Sequence, residues 1–286
     1  MRLYRDFTSQ EALDREYNAV AASADAQARL AGWQARSVRV LEQMEVRRGL
    51  RYGPTRAEHL DFFPAGSGTP LHIFLHGGYW RRFAAADFAF LAPAITEAGI
   101  SLANVNYALC PEVPISEIVR QVRAAVAWCF DRAEALGIDR QRITISGHSA
   151  GGQLVAMALA TDWPGAYDLP AEILKGGIAI SGLFDLAPLR FTWLQPALQL
   201  DGDEILRSSP IHHIPHRAPP LTVVVGGAET AEFRRQSRDF LAAWRAAGLD
   251  GHWLEPPGLD HFTVLEELER SDSELFGALL GCALGE

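Results

Sequence analysis

The stretch Arg142-Ile143-Thr144-Ile145-Ser146-Gly147-His148-Ser149-Ala150-Gly151-Gly152, continuing into Gln153-Leu154-Val155-Ala156, decides how the chain folds. An apolar, β-branched run enters a glycine-rich turn, and the turn opens straight into a helix-forming segment. Gly-x-Ser-x-Gly at a strand-to-helix junction reads as a nucleophile elbow. The turn is so tight that the residues two before and two after the serine must lack bulk. The hydroxyl of Ser149 then stands clear of the sheet, over the free amides and partial positive charge of a helix N-terminus. The plainer reading, a glycine-rich turn with Ser149 as an N-cap, does not need a strand directly before and a helix directly after.

Working outward, apolar strand-like runs fall at 58–63, 71–76, 100–107, 142–147, 176–181, 221–226 and 252–256. Helical stretches alternate with them at 85–98, 115–136, 150–161, 231–247 and 262–282. This alternation predicts an α/β fold, a mostly parallel, doubly wound sheet with helices on both faces. The run Glu58–Phe63 alternates and is expected antiparallel at an edge. Residues 8–48 read as helical, with Thr8 and Glu11 forming a capping box. They are expected as an N-terminal helical extension, a satellite or partial lid, on one domain spanning residues 1–286. Chemistry in such a fold belongs beyond the carboxyl ends of the strands.

A serine hydroxyl needs a base. In this architecture the chain order is serine, acid, histidine. Of the nine histidines, His261 lies after the final strand and before the last helical stretch, where that base belongs. The acid is expected in Gly226–Phe233, after the strand LTVVVG, as Glu229 or Glu232, with Asp185 a third candidate. Glu229 is favoured because it precedes the helix, whereas the helix dipole alone accounts for Glu232. Asp260 reads as a loop-stabilising carboxylate.

An acyl-transfer intermediate also needs aimed N–H donors for its oxyanion. Ala150, next to the nucleophile, supplies one. The others are expected from Phe74–Trp80 (FLHGGYW), through the amides of Gly77, Gly78 or Tyr79. His76 is expected to brace that loop rather than act as a base. Tyr79, Trp80 and His148 are the expected substrate contacts.

The composition excludes several classes. A net charge of −9 over 286 residues argues against nucleic-acid binding. No apolar run reaches the roughly 18 residues that span a bilayer, and the N-terminus lacks a secretory signal's apolar core. Three scattered cysteines without CxxC spacing fit free thiols in a reducing cytoplasm. His212, His213 and His216 lie in a proline-bounded loop without carboxylates at ligand spacing, so no metal site is expected there.

HGGYW together with GHSAGG resembles the kynurenine formamidase (arylformamidase) branch of the α/β hydrolases. Tyr52-Gly53, Leu60-Asp61, Gly226–Ser237 (GGAETAEFRRQS) and Leu259–Phe262 (LDHF) extend the resemblance over about residues 50–280. It implies Ser149 as nucleophile, His261 as base and Glu229 at the acid position, where the family usually carries aspartate. The implied chemistry is hydrolysis of N-formyl-kynurenine to kynurenine and formate, without metal or cofactor. General esterases share the signature, so a carboxylesterase acting on short acyl esters is the alternative. The expected partner is a small aryl amide or ester, with neither nucleic acid nor membrane, and a homodimer is an allowed assembly.

Overall fold

A computed structural model describes residues 2–285. Eight strands build one sheet: β1 (Arg47–Arg51), β2 (His59–Phe63), β3 (Thr69–Leu75), β4 (Ser101–Val105), β5 (Ile138–His148), β6 (Gly177–Ile180), β7 (Leu221–Val224) and β8 (Gly251–Leu254). Their order is β1-β2-β4-β3-β5-β6-β7-β8. β2 runs antiparallel to both β1 and β4, and the pairs from β4 through β8 are parallel. Helices cover both faces, as expected.

Burial explains why these runs are strands. β4 and β6 are buried at every position, and β3 at all but its first. Helices on each face leave no polar side for alternation to report. A polar cluster joins β3 to β5 within this core. The fully buried His72 of β3 bonds through Nδ1 to Thr144 Oγ1 at 2.9 Å and through Nε2 to Ser146 Oγ at 2.6 Å. Both partners sit on the adjacent β5.

Four expectations need correction. The helical extension ends at Gln43, and residues 47–51 (RRGLR) form the edge strand instead. Gly49, with φ +65°, breaks the helical pattern, and its amide bonds Asp61 Oδ1 at 2.8 Å. β2 is therefore antiparallel but not at the edge, and it buries Leu60 through Phe63 consecutively instead of alternating. At the N-terminus the first helix, Gln10–Tyr17, is capped by Ser9 rather than Thr8. The last helical stretch is also broken, into Thr263–Glu266, a short 3₁₀ turn and Glu274–Leu284.

Candidate active site

Ser149 sits between the end of β5 and helix Ala150–Leu159, with φ +57° and ψ −116°. A non-glycine residue holds that conformation only where the surroundings over-determine it. Here the Ser149 amide is tied to the Ile180 carbonyl of β6 at 2.8 Å. The flanking glycines are sterically required. A Cβ on Gly151 would lie 2.0 Å from the Leu75 carbonyl oxygen, and one on Gly147 would lie 2.4 Å from the Gly151 carbonyl oxygen.

The loop after β3 packs against this elbow. A Cβ on Gly77 would come within 2.9 Å of the His148 carbonyl and 3.2 Å of Ser149 Cβ. Among the described residues, the amides of Gly77, Gly78, Tyr79 and Ala150 have no intrachain acceptor. His76 is fully buried and stacks on Tyr107 at 4.1 Å, with Nδ1 2.8 Å from the Gly77 carbonyl. Desolvation pulls its pKa down to about 4, so it braces the loop as a neutral ring.

The three acid candidates separate cleanly. Glu229 Oε2 lies 2.7 Å from His261 Nδ1. Its other oxygen, Oε1, accepts from Ser181 Oγ at 2.5 Å and from the Gly226 amide at 2.7 Å. Glu232 instead accepts from Tyr17 Oη at 2.8 Å and Arg235 Nε at 2.7 Å. Asp185 accepts from Tyr4 Oη at 2.7 Å. Asp260 accepts the amides of Phe262 and Thr263, the loop-stabilising role expected of it.

Ser149 and His261 line one cavity of about 260 Å³. Ser149 Oγ makes no intrachain hydrogen bond among the described residues, so the serine–histidine bond is not closed here. His148 lines the same cavity, yet its Nε2 donates to the His261 carbonyl at 2.7 Å. A carbonyl only accepts, so His148 carries its proton on Nε2. Burial, reinforced by the neighbouring His261 ring, holds its pKa well below the ordinary histidine value. His148 thereby anchors the backbone of the loop that carries His261.

Tyr79 lines the cavity, and its hydroxyl donates to the Tyr17 carbonyl at 2.5 Å. Trp80 does not line it, which corrects the expectation of a substrate contact. Its φ of +55° turns the ring into the core, where Nε1 donates to Gln153 Oε1 at 3.0 Å. Several cavity walls escaped the sequence reading. Tyr17, Val20, Leu30 and Trp33 come from the N-terminal helices, and Trp193 and Leu194 from the segment after β6. Trp33 stacks against Phe90 and tilts onto Phe88 and Phe262, giving the cavity an aromatic side.

Among the described residues no group of three or more His, Cys, Asp or Glu side chains is arranged to hold a metal ion. Desolvation pushes all three cysteine thiols up to about 12, far from the thiolate a nucleophile requires. No helix among the described residues is long and apolar enough to cross a membrane.

Comparison with known proteins places this geometry. Residues 62–166, from β2 through the elbow helix, match the BD-FAE family. The kynurenine formamidase of Danio rerio is 32% identical over 225 residues, covering 76% of this chain and 75% of that protein. Esterase LipC of Mycobacterium tuberculosis is 27% identical, covering 77% of this chain and 60% of its own. The crystal structure of a candidate thioesterase from Silicibacter sp. TM1040 superposes with a TM-score of 0.80 at 33% identity, covering 93% of this chain and 97% of that one. An identity above 30% over three-quarters or more of both chains is a relationship of whole domains. The chain belongs to the kynurenine formamidase family of α/β-hydrolase enzymes.

Proposed function

We propose that the protein is a serine hydrolase that removes a small acyl group, formyl foremost, from an aryl amide, with N-formyl-kynurenine as the leading substrate. Ser149 Oγ attacks the acyl carbonyl and gives its proton to His261 Nε2. Glu229 holds the ring through Nδ1 and stabilises the imidazolium that forms. The oxyanion is received by amides of Gly77, Gly78 or Tyr79 together with that of Ala150. His261 returns the proton to the aryl nitrogen as it leaves, and a water activated by the same ring then frees formate from the serine.

The observation that carries this reading is the buried Glu229–His261 pair, 2.7 Å apart, whose histidine lines the cavity that also holds Ser149. Acid and base are oriented before any substrate arrives. At about 260 Å³, the cavity lies near the small end of ligand sites, typically about 300–1,000 Å³. That size suits a single-ring leaving group. The N-terminal helices act as a partial lid in this reading, since they supply one wall.

A second reading, a carboxylesterase on short acyl esters, draws on the similarity to an esterase. An amide leaving group needs protonation by His261 more than an aryl ester does. Parallel kcat/KM measurements on N-formyl-kynurenine and short-chain aryl esters separate the two. Preference for the formamide supports the first reading, and turnover of esters alone supports the second.

A further inference from the structure

The cavity mouth carries two charges that the hydrolytic chemistry does not use. Arg81 and Arg82 follow the oxyanion loop directly, and both line the cavity. Apart from histidines, they are the only lining residues whose side chains carry a formal charge at neutral pH. Elsewhere in the chain many arginines are neutralised, as in Arg29 and Arg36 with Glu266, or Arg234 and Arg238 with Glu255. Among the described residues neither Arg81 nor Arg82 has a carboxylate partner. The guanidinium of Arg82 lies only over the Phe83 ring, at 5.1 Å. In a chain of net charge −9, two adjacent uncompensated arginines form a local positive field at the entrance.

The backbone that presents them is held in place at a conformational cost. Tyr79, Trp80 and Phe83 all have positive φ (+52°, +55° and +72°), a conformation that side chains with a Cβ rarely adopt. The amides of Arg81 and Arg82 both return to the Gly78 carbonyl at 3.1 Å, and the Trp80 carbonyl accepts from the Cys110 amide at 2.7 Å. Strain of roughly 1–3 kcal/mol per such residue persists where the surroundings over-determine it, and it concentrates at functional sites. Here it turns Trp80 inward and leaves the two arginines at the mouth, beside the aromatic wall of Phe83, Phe88 and Trp33.

An aromatic wall next to an unpaired guanidinium pair matches a ligand with an apolar ring and an anionic tail. Guanidinium binds carboxylate bidentately and with charge assistance. We infer that Arg81 and Arg82 form an anion subsite selecting aryl leaving groups that carry a carboxylate. The inference rests on the acyl-hydrolase reading above and narrows its leaving group.

Calorimetric titration with 4-phenylbutanoate and its neutral counterpart 4-phenylbutanamide, at low and high salt, tests it. The carboxylate is expected to bind about tenfold tighter or better at low salt, with the advantage shrinking as salt screens the arginines. Arg81→Gln/Arg82→Gln should abolish that advantage, and Arg81→Lys/Arg82→Lys should keep most of it. Equal affinity of the two ligands, an advantage that survives the glutamine pair, or binding of neither ligand overturns the subsite. Phenyl acetate turnover by the same preparations, measured against Ser149→Ala, reports on the hydrolase reading separately. Turnover without carboxylate preference sinks the subsite alone, and carboxylate preference without turnover sinks the hydrolase reading alone.

Discussion

Ser181 donates its hydroxyl to Glu229 Oε1 at 2.5 Å, on the carboxylate oxygen that does not meet His261. Ser181 sits just past β6 with φ +51°, is fully buried, and ties its own amide to the Val224 carbonyl. Together with the Gly226 amide it fixes a side chain one methylene longer than the aspartate usual in the family. Ser181→Ala is therefore expected to lower kcat by about 10–100-fold with little change in KM, the equivalent of one lost buried hydrogen bond to a charge. Steady-state kinetics on any turned-over aryl ester checks it, and an unchanged kcat would show that Glu229 needs no such support.

The two neighbouring glutamates should fail in different ways. Glu229→Gln removes the group that fixes the tautomer of His261, and a loss of roughly 10³–10⁴ in kcat is expected. Glu232→Gln leaves the base untouched but weakens the buried contacts with Tyr17 and Arg235. That variant should lose about 3 kcal/mol of stability, as broken buried ion pairs do, and retain most of its kcat. Denaturant melts run beside kinetics decide it. The reverse pattern would reassign the acid.

Tyr79 links the oxyanion loop to the N-terminal extension through the Tyr17 carbonyl. Tyr79→Phe removes that link without emptying the space. KM is expected to rise several-fold and limited proteolysis between Asn18 and Asp25 to accelerate, while kcat holds. Unaltered proteolysis would mean that the extension is held by its other contacts, such as the Trp33 indole on Glu266 Oε1 at 2.9 Å.

Two buried histidines predict how stability responds to acid. Desolvation lowers His72 to about 3 and His76 to about 4, from an ordinary value of 6.5. The unfolded chain takes up the protons that the folded chain refuses, so unfolding binds protons and acid favours it. The stability held by these neutral rings is fully present above about pH 6.5. It is lost as pH falls through that value toward the folded ones, by up to about 1.4 kcal/mol per pH unit for each ring. His72→Gln cannot take up that proton. Its denaturation midpoint, though lower overall, should depend less steeply on pH between about 6.5 and 4 than that of the wild type. Equal slopes would contradict the account.

The parallel strands and the elbow were legible because their causes are local. Continuous apolar runs mark strands covered on both faces, and the glycines around Ser149 answer a steric demand made within a few residues. β1 was illegible because an exposed edge strand of sequence RRGLR buries almost nothing and so carries no periodicity. Trp80 misled because its neighbours in sequence reach the cavity, whereas a positive φ sends its own ring the other way. Ser181 and the walls from Tyr17 and Trp193 left no trace, since each meets the site only across long stretches of chain. The clue open to sequence was the glutamate in place of aspartate, which calls for an extra donor beyond the base.

The most direct measurement of the central claim compares single-turnover hydrolysis of N-formyl-kynurenine by the wild type and by Ser149→Ala, with intact-protein mass recorded on rapid quenching. The account predicts rapid formate release by the wild type with a formyl adduct on Ser149, and a loss of several orders of magnitude in Ser149→Ala with the fold intact. Formate release by Ser149→Ala within a few-fold of the wild-type rate would contradict it.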